Sequence, residues 1–272
     1  MPIRKGRATE PWPPGARSMS AFGKSMAGAG SRSRCRSCAN ASGCCSTEKT
    51  RGASASPATN HRGRADERSL DLLHAERARL ADLLSTLETE QWPLATLCAD
   101  WTVEQVVAHL TAAADTGKWA WIRSIVRAGF DPAKHNARLL ERRLGGSPEE
   151  TFAKFRDSTA LTIAPTKDFP AFLGEVIVHG QDIARPLELD LTPGAEATVE
   201  VARYFASKDF AVNSKTLVKG LRLSAVDADF ESGSGPKVTG RVPDLVMAMA
   251  GRPESLTELT GSGVAELRRR VD

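Results

Sequence analysis

Between Leu70 and Pro186 apolar residues recur at helical spacing in blocks punctuated by prolines, which confines this part of the chain to packed helices. In the first block Leu70, Leu73, Leu80, Leu83, Leu84 and Leu87 fall near a 3.6-residue period, with Glu76, Arg77, Arg79 and Asp82 between them. Pro93 ends it. Thr102, with Gln105 three residues on, has the form of a capping box and predicts a second helix. Its stripe is Val103, Val106, Leu110 and Ala113, and His109 lies on that stripe. Further helical stretches run through Trp119, Trp121, Ile122, Ile125 and Val126, and from Pro148, suited to a first turn, through Phe152 and Phe155. A last one opens at Pro170, reads Phe172, Glu175, Val176, His179, Ile183, and closes at Pro186. Amphipathic helices in this density imply a bundle.

Beyond Pro186 the texture changes. A helix is expected around Val199–Phe210, then an alternating, strand-like run Leu221–Asp227. Gly233-Ser234-Gly235-Pro236 reads as a tight turn before a short strand, Lys237–Gly240. Pro243 starts a helix through Leu245, Val246 and Met249 that Gly251-Arg252-Pro253 stops; a short strand at Leu256–Thr260 and a helix at Val264–Arg270 complete the reading. The fold class is α+β: a helical bundle over 66–189 followed by a small α+β domain over 190–272.

The segment 1–65 is of another kind. It is rich in Arg, Ser, Ala and Gly, lacks periodicity, and cannot bury enough apolar area to offset its conformational entropy, so a disordered basic extension is expected. It also carries the charge: residues 1–68 hold 13 basic and 4 acidic side chains, net +9, against 24 and 29 in the remainder, net −5. The basic balance therefore gives no ground for nucleic-acid binding by the folded body, and no aromatic residues interleave with the arginines of the arm. Cys35, Cys38, Cys44 and Cys45 lack the second spaced pair and apolar framework of a structural zinc site. Arg/Ser richness superficially matches an organellar transit peptide, but a tail, or a start codon set too far upstream, is the simpler account. No apolar run suits a secretory signal or approaches the roughly 20 residues of a membrane span, so a cytoplasmic protein without membrane contact is expected.

The chemistry lies in two helices. Glu175 and His179, four apart, share one helix face, and that face is the apolar one. A carboxylate among Phe172, Val176 and Ile183 is costly to bury unless a cation or donor compensates it. With His109 it would make a three-ligand site for Zn²⁺ or a similar divalent ion, leaving a fourth position open for water or substrate, the catalytic form of such sites. Against this, a buried histidine is usually a hydrogen-bonded core residue and an E-x-x-x-H pair is often a surface ion pair. Periodicity does not say whether the two helices face each other.

Two signatures carry a resemblance. Asp100-Trp101-Thr102-Val103 with His109-Leu110, and Glu175 with His179-Gly180-Gln181-Asp182-Ile183-Ala184-Arg185-Pro186-Leu187, are similar to those of the mycothiol-dependent maleylpyruvate isomerase family, one of the DinB-like metal-binding bundles of actinobacteria. Ala225-Val226-Asp227, Gly233-x-Gly235-Pro236-x-Val238-x-Gly240, Gly251-Arg252 and Leu259-Thr260-Gly261-x-Gly263-Val264 resemble its sterol-carrier-like C-terminal domain. The resemblance spans roughly residues 68–270 and leaves 1–65 untouched. It implies a DinB-like four-helix bundle, His109, Glu175 and His179 as metal ligands, usually of zinc, and mycothiol as thiol cofactor, its sulfur at or near the metal. In the family reaction the thiolate adds to the double bond of maleylpyruvate, permits rotation and leaves.

Such chemistry needs cations for substrate carboxylates. Arg252 at a helix end and Arg185 beside the ligand helix are the candidates, since guanidinium binds carboxylate bidentately; the plainer reading of each is a surface or helix-terminal charge. Asp182 is either an orienting partner of a ligand histidine or a helix-surface acid, and Cys98 reads as a small buried hydrophobe. The expected function is thus a metal-dependent, mycothiol-using isomerase or thiol transferase acting on a small electrophile. The alternatives are a metal-water hydrolase on the same bundle and a non-catalytic small-ligand-binding protein. Substrate, cellular metal and oligomeric state are open at this level.

Overall fold

The computed structural model describes residues 57–98, 101–117, 123, 124, 126, 138–162, 168–209 and 212–271, with side chains from residue 63 onward. The expectations for residues 1–56, and for most of the stretch from Trp119 to Ile125, lie outside them.

Among the described residues four helices form the bundle: α1 (Pro57–Leu84), α2 (Val103–Asp115), α3 (Pro148–Ser158) and α4 (Phe169–Ala184). α1 packs on α4 and α3, and α2 on the same two helices, so the four close a ring around one core. α1 starts upstream of residue 66, taking up the end of the segment expected to be unstructured. Local chemistry sets the ends. Thr102 caps α2, accepting a hydrogen bond from the Gln105 amide at 3.3 Å, while the Gln105 side chain accepts from the Thr102 amide at 2.9 Å. Ser147 caps α3 through the Glu150 amide, and Pro148 stands in its first turn, where the missing N–H costs nothing.

α4 is buried almost all round, as a helix at the centre of a protein must be. Its remaining faces are covered by α5 (Ala195–Ser207) and α7 (Val242–Met249). α6 (Ser214–Leu217) is a single turn. A three-stranded sheet lies between α6 and α7 in the chain: β1 (Arg222–Ala225), β2 (Glu231–Gly233) and β3 (Lys237–Gly240), in the order β2-β1-β3. β1 runs antiparallel to β2 and parallel to β3, so the chain must cross the end of β1 within the few residues after Gly233. Gly235 makes that crossing at φ 120°, and a Cβ there would stand 2.2 Å from the Gly220 carbonyl oxygen. Only glycine tolerates both the angle and the approach.

The strand expected at Leu256–Thr260 is instead a 3₁₀ segment, Pro253–Glu258. Pro253 fixes a helical φ at its start, and the Ser255 and Leu259 amides turn back to the Arg252 and Leu256 carbonyls. Thr260 bridges Thr239 at the edge of the sheet. α8 (Val264–Val271) ends the described chain. The architecture is therefore the α+β arrangement expected, a four-helix bundle with a small sheet-bearing C-terminal part, and one apolar core cluster runs through both. Among the described residues no helix is long and apolar enough to cross a membrane.

Candidate metal centre

α4 brings Glu175, His179 and Asp182 to one side, and α2 packs on α4 so that His109 meets them. Glu175 Oε2 lies 3.2 Å from His109 Nε2 and 3.3 Å from His179 Nε2. The two imidazoles stand edge to face, centroids 5.1 Å apart. Trp101, just before the Thr102 cap, packs its ring 4.9 Å from that of His109 and 6.3 Å from that of His179. His109 and Glu175 keep a small exposure while His179 is buried. The site is thus partly open on the side of Glu175 and His109 and closed at His179.

Burial pushes the Glu175 carboxyl up, but the hydrogen bonds and charges of His109 and His179 outweigh it and hold the group well below the ordinary carboxylate range. Burial likewise opposes the charged form of His179; the hydrogen bond to Asp182, with Cys98 and Glu175 close by, outweighs it and raises that imidazole well above its usual value.

The donor set fits a divalent ion. Four donors about 2.1 Å from an ion in tetrahedral order stand about 3.4 Å from one another. The two Glu175 contacts match such edges, and all three ligand atoms lie within 4.8 Å of one another. A second triplet, Cys98, His179 and Asp182, meets the same distance test through the other imidazole nitrogen. Its carboxylate is already taken: Arg252 donates from Nε to Asp182 Oδ1 at 2.8 Å and from Nη2 to Oδ2 at 2.7 Å. A cation entering there would face a guanidinium on both ligand oxygens, so the first triplet is the better ion site.

His179 uses both nitrogens. Nε2 faces Glu175, and Nδ1 lies 3.0 Å from Asp182 Oδ2. Asp182 is fully buried, and Cys98 is buried beside it as the only free cysteine among the described residues. Burial pushes the Asp182 carboxyl up, and the Arg252 and His179 contacts more than reverse that.

The two arginines expected to bind substrate sit differently. Arg252 is beside the site, sharing with Glu175 and His179 the lining of a pocket walled by Ala171, Val178 and Phe205, but its fork is closed onto Asp182. Arg185 is away from it. Its guanidinium donates to Gln181 Oε1 at 2.9 Å, Ser255 Oγ at 3.0 Å and Asp244 Oδ1 at 2.8 Å, tying the C-terminal end of α4 to α7 and the 3₁₀ segment. Three of its five N–H donors are therefore engaged within the fold, and Asp244 already supplies a carboxylate. The pocket wall from α5 went unmarked in the sequence, where Phe205 is one more apolar residue of an amphipathic helix.

Residues 73–171 match the family model of the mycothiol maleylpyruvate isomerase N-terminal domain, a span that includes His109 and stops short of Glu175 and His179. A search of the curated proteins gave no match. Two solved structures are similar over 72% of this chain and 92% of theirs, at 14% identity: the mycothiol-dependent maleylpyruvate isomerase, at a TM-score of 0.48, and a histidine-to-alanine mutant of it, at 0.49.

Proposed function

We propose, for a chain that belongs through residues 73–171 to the mycothiol maleylpyruvate isomerase family, a metal-dependent enzyme that uses mycothiol to isomerise, or transfer the thiol to, a small electrophile. His109, Glu175 and His179 would hold the ion, zinc or another divalent metal. The observation that carries this reading is the single carboxylate oxygen of Glu175 within 3.3 Å of imidazole nitrogens from two different helices.

A divalent ion bound there supplies Lewis acidity, which lowers the pKa of a thiol brought to it and favours thiolate at neutral pH. The chain's own residues do the rest. Asp182 would accept a hydrogen bond from His179 Nδ1–H, leaving Nε2, on the Glu175 side of the ring, to bind the ion. The Trp101 ring flanks His109 and limits how far that imidazole can swing. Ala171, Val178 and Phe205 wall the pocket that reaches Glu175 and His179, keeping water away from the reacting sulfur and offering apolar surface to an electrophile.

The test is calorimetric titration of the purified protein with mycothiol, before and after loading with zinc. Binding that needs zinc, and that disappears in His179→Ala, is the expected result. Thiol binding indifferent to zinc, or hydrolysis of test esters at the same rate without thiol, would remove the proposal.

A further inference from the structure

We infer that Arg252 is a positioning residue: through Asp182 it fixes the imidazole of His179, so the C-terminal part of the chain sets the geometry of a metal site built on the bundle. The inference rests on the reading of His109, Glu175 and His179 as ligands. Its foundation is a chain of contacts across 70 residues of sequence. Arg252 lies 2.8 and 2.7 Å from the two oxygens of Asp182, and Asp182 Oδ2 lies 3.0 Å from His179 Nδ1. Arg252 is itself held. Gly251, at φ 79°, ends α7 and turns the backbone so that the Arg252 amide donates to the Met247 carbonyl at 3.0 Å. The third guanidinium nitrogen, Nη1, donates to the Ala250 carbonyl at 3.0 Å.

The fork has two consequences. It holds the carboxylate in one plane, leaving a defined lone pair of Oδ2 directed at Nδ1. It also keeps Oδ2 against Nδ1 of His179, so that Nε2, on the Glu175 side of the ring, is the nitrogen presented to an ion. A lysine at position 252 reproduces the charge but not the two parallel bonds. With its Nε and Nη2 edge spent on Asp182, the guanidinium acts on the site through His179, whereas a substrate clamp would change KM and leave zinc affinity untouched, which separates the two roles.

The test measures zinc affinity of the full-length protein by competition with a chromophoric chelator, and thermal unfolding without metal, for Asp182→Asn, Arg252→Lys, Arg252→Met and the Asp182→Asn/Arg252→Met pair. Asp182→Asn and Arg252→Met are each expected to weaken zinc binding by roughly 10–100-fold, the usual effect of losing an outer partner of a ligand histidine. The double variant is expected to bind no more weakly than Asp182→Asn alone, and Arg252→Lys to fall between Met and wild type. A role in stability alone would lower the melting temperatures and leave zinc affinity unchanged, and that result overturns the inference. So does an Arg252→Met effect that multiplies in full with that of Asp182→Asn. If Arg252→Met does not fold, the double variant, which removes both buried charges, is compared with Asp182→Asn: equal affinity supports the inference and a further loss overturns it. Should wild-type protein take up no zinc, the metal reading fails by itself. The low-field Nδ1 proton resonance of His179 in metal-free protein then decides, a shift in Arg252→Lys supporting the positioning role and an unchanged resonance overturning it.

Discussion

Gly174 faces the ring of Phe205: a Cβ on Gly174 would stand 2.9 Å from Phe205 Cε1 and 3.0 Å from Cζ. The contact brings α5 close against α4 one residue from Glu175, and both residues line the pocket that reaches the candidate metal centre. Gly174→Ala must therefore push the buried ring aside. Overpacking of this kind costs about 1–3 kcal/mol. Urea unfolding of the metal-free protein is expected to give a lower midpoint with an unchanged slope, and wild-type stability in this variant would show that α5 yields freely.

Removal of any one of His109, Glu175 or His179 leaves two donors where three converge. His109→Ala, Glu175→Ala and His179→Ala are each expected to lower bound zinc from one equivalent to well under half an equivalent, read by elemental analysis after gel filtration. Zinc at a thousandfold excess over its dissociation constant stabilises a wild-type site by about 4 kcal/mol. The corresponding rise in melting temperature should vanish in all three variants.

The pH dependence of the metal-free protein follows from opposite displacements. Asp182 and Glu175 titrate below their ordinary values of 3.8 and 4.5, so their stabilisation is present above those values and is lost as pH falls through the folded-state pKa. His179 titrates above its ordinary 6.5, so its contribution is whole below 6.5 and is lost as pH rises through the folded-state value. The melting temperature without metal should thus be highest between about 4.5 and 6.5 and fall on both sides. In Asp182→Asn the alkaline fall should shrink, because the principal partner that raises His179 is gone. A melting temperature that climbs steadily from pH 6 to 9 would contradict this sign.

Thr102→Ala removes the acceptor for the Gln105 amide at the start of the helix that carries His109. Loss of such a cap costs about 1 kcal/mol. The variant is expected to show that loss in denaturant unfolding while still binding one equivalent of zinc, since His109 lies two turns further on and is held by packing against α4.

Several features were legible in the residues because they are local. The Thr102–Gln105 box, Pro148 in a first turn, and Gly251 after the α7 helix are short-range hydrogen-bond and φ requirements, and the structure has each of them. The same holds for the side-by-side placement of Glu175 and His179, which the helical period alone dictates. Leu256–Thr260 misled because five residues are too few to show a period; its two leucines stand three apart, the spacing of a 3₁₀ turn, and the fixed φ of Pro253 starts that run. The parallel pairing of β1 with β3 left no mark except the glycines that permit the crossing.

The sequence by itself determined where α2, α3, α4 and α7 begin, through a cap or a first-turn proline, and that an acid and an imidazole share an apolar face, since each of these is settled within a turn or two of backbone. Tertiary structure alone decided that His109 meets them from 66 residues away and that Arg252 closes onto Asp182 from 70. It alone decided, too, that Arg185 is absorbed by Asp244 and Ser255. Those meetings depend on how helices cross and how loops close, and a guanidinium takes whichever carboxylate the packed core presents to it, which no spacing along the chain encodes.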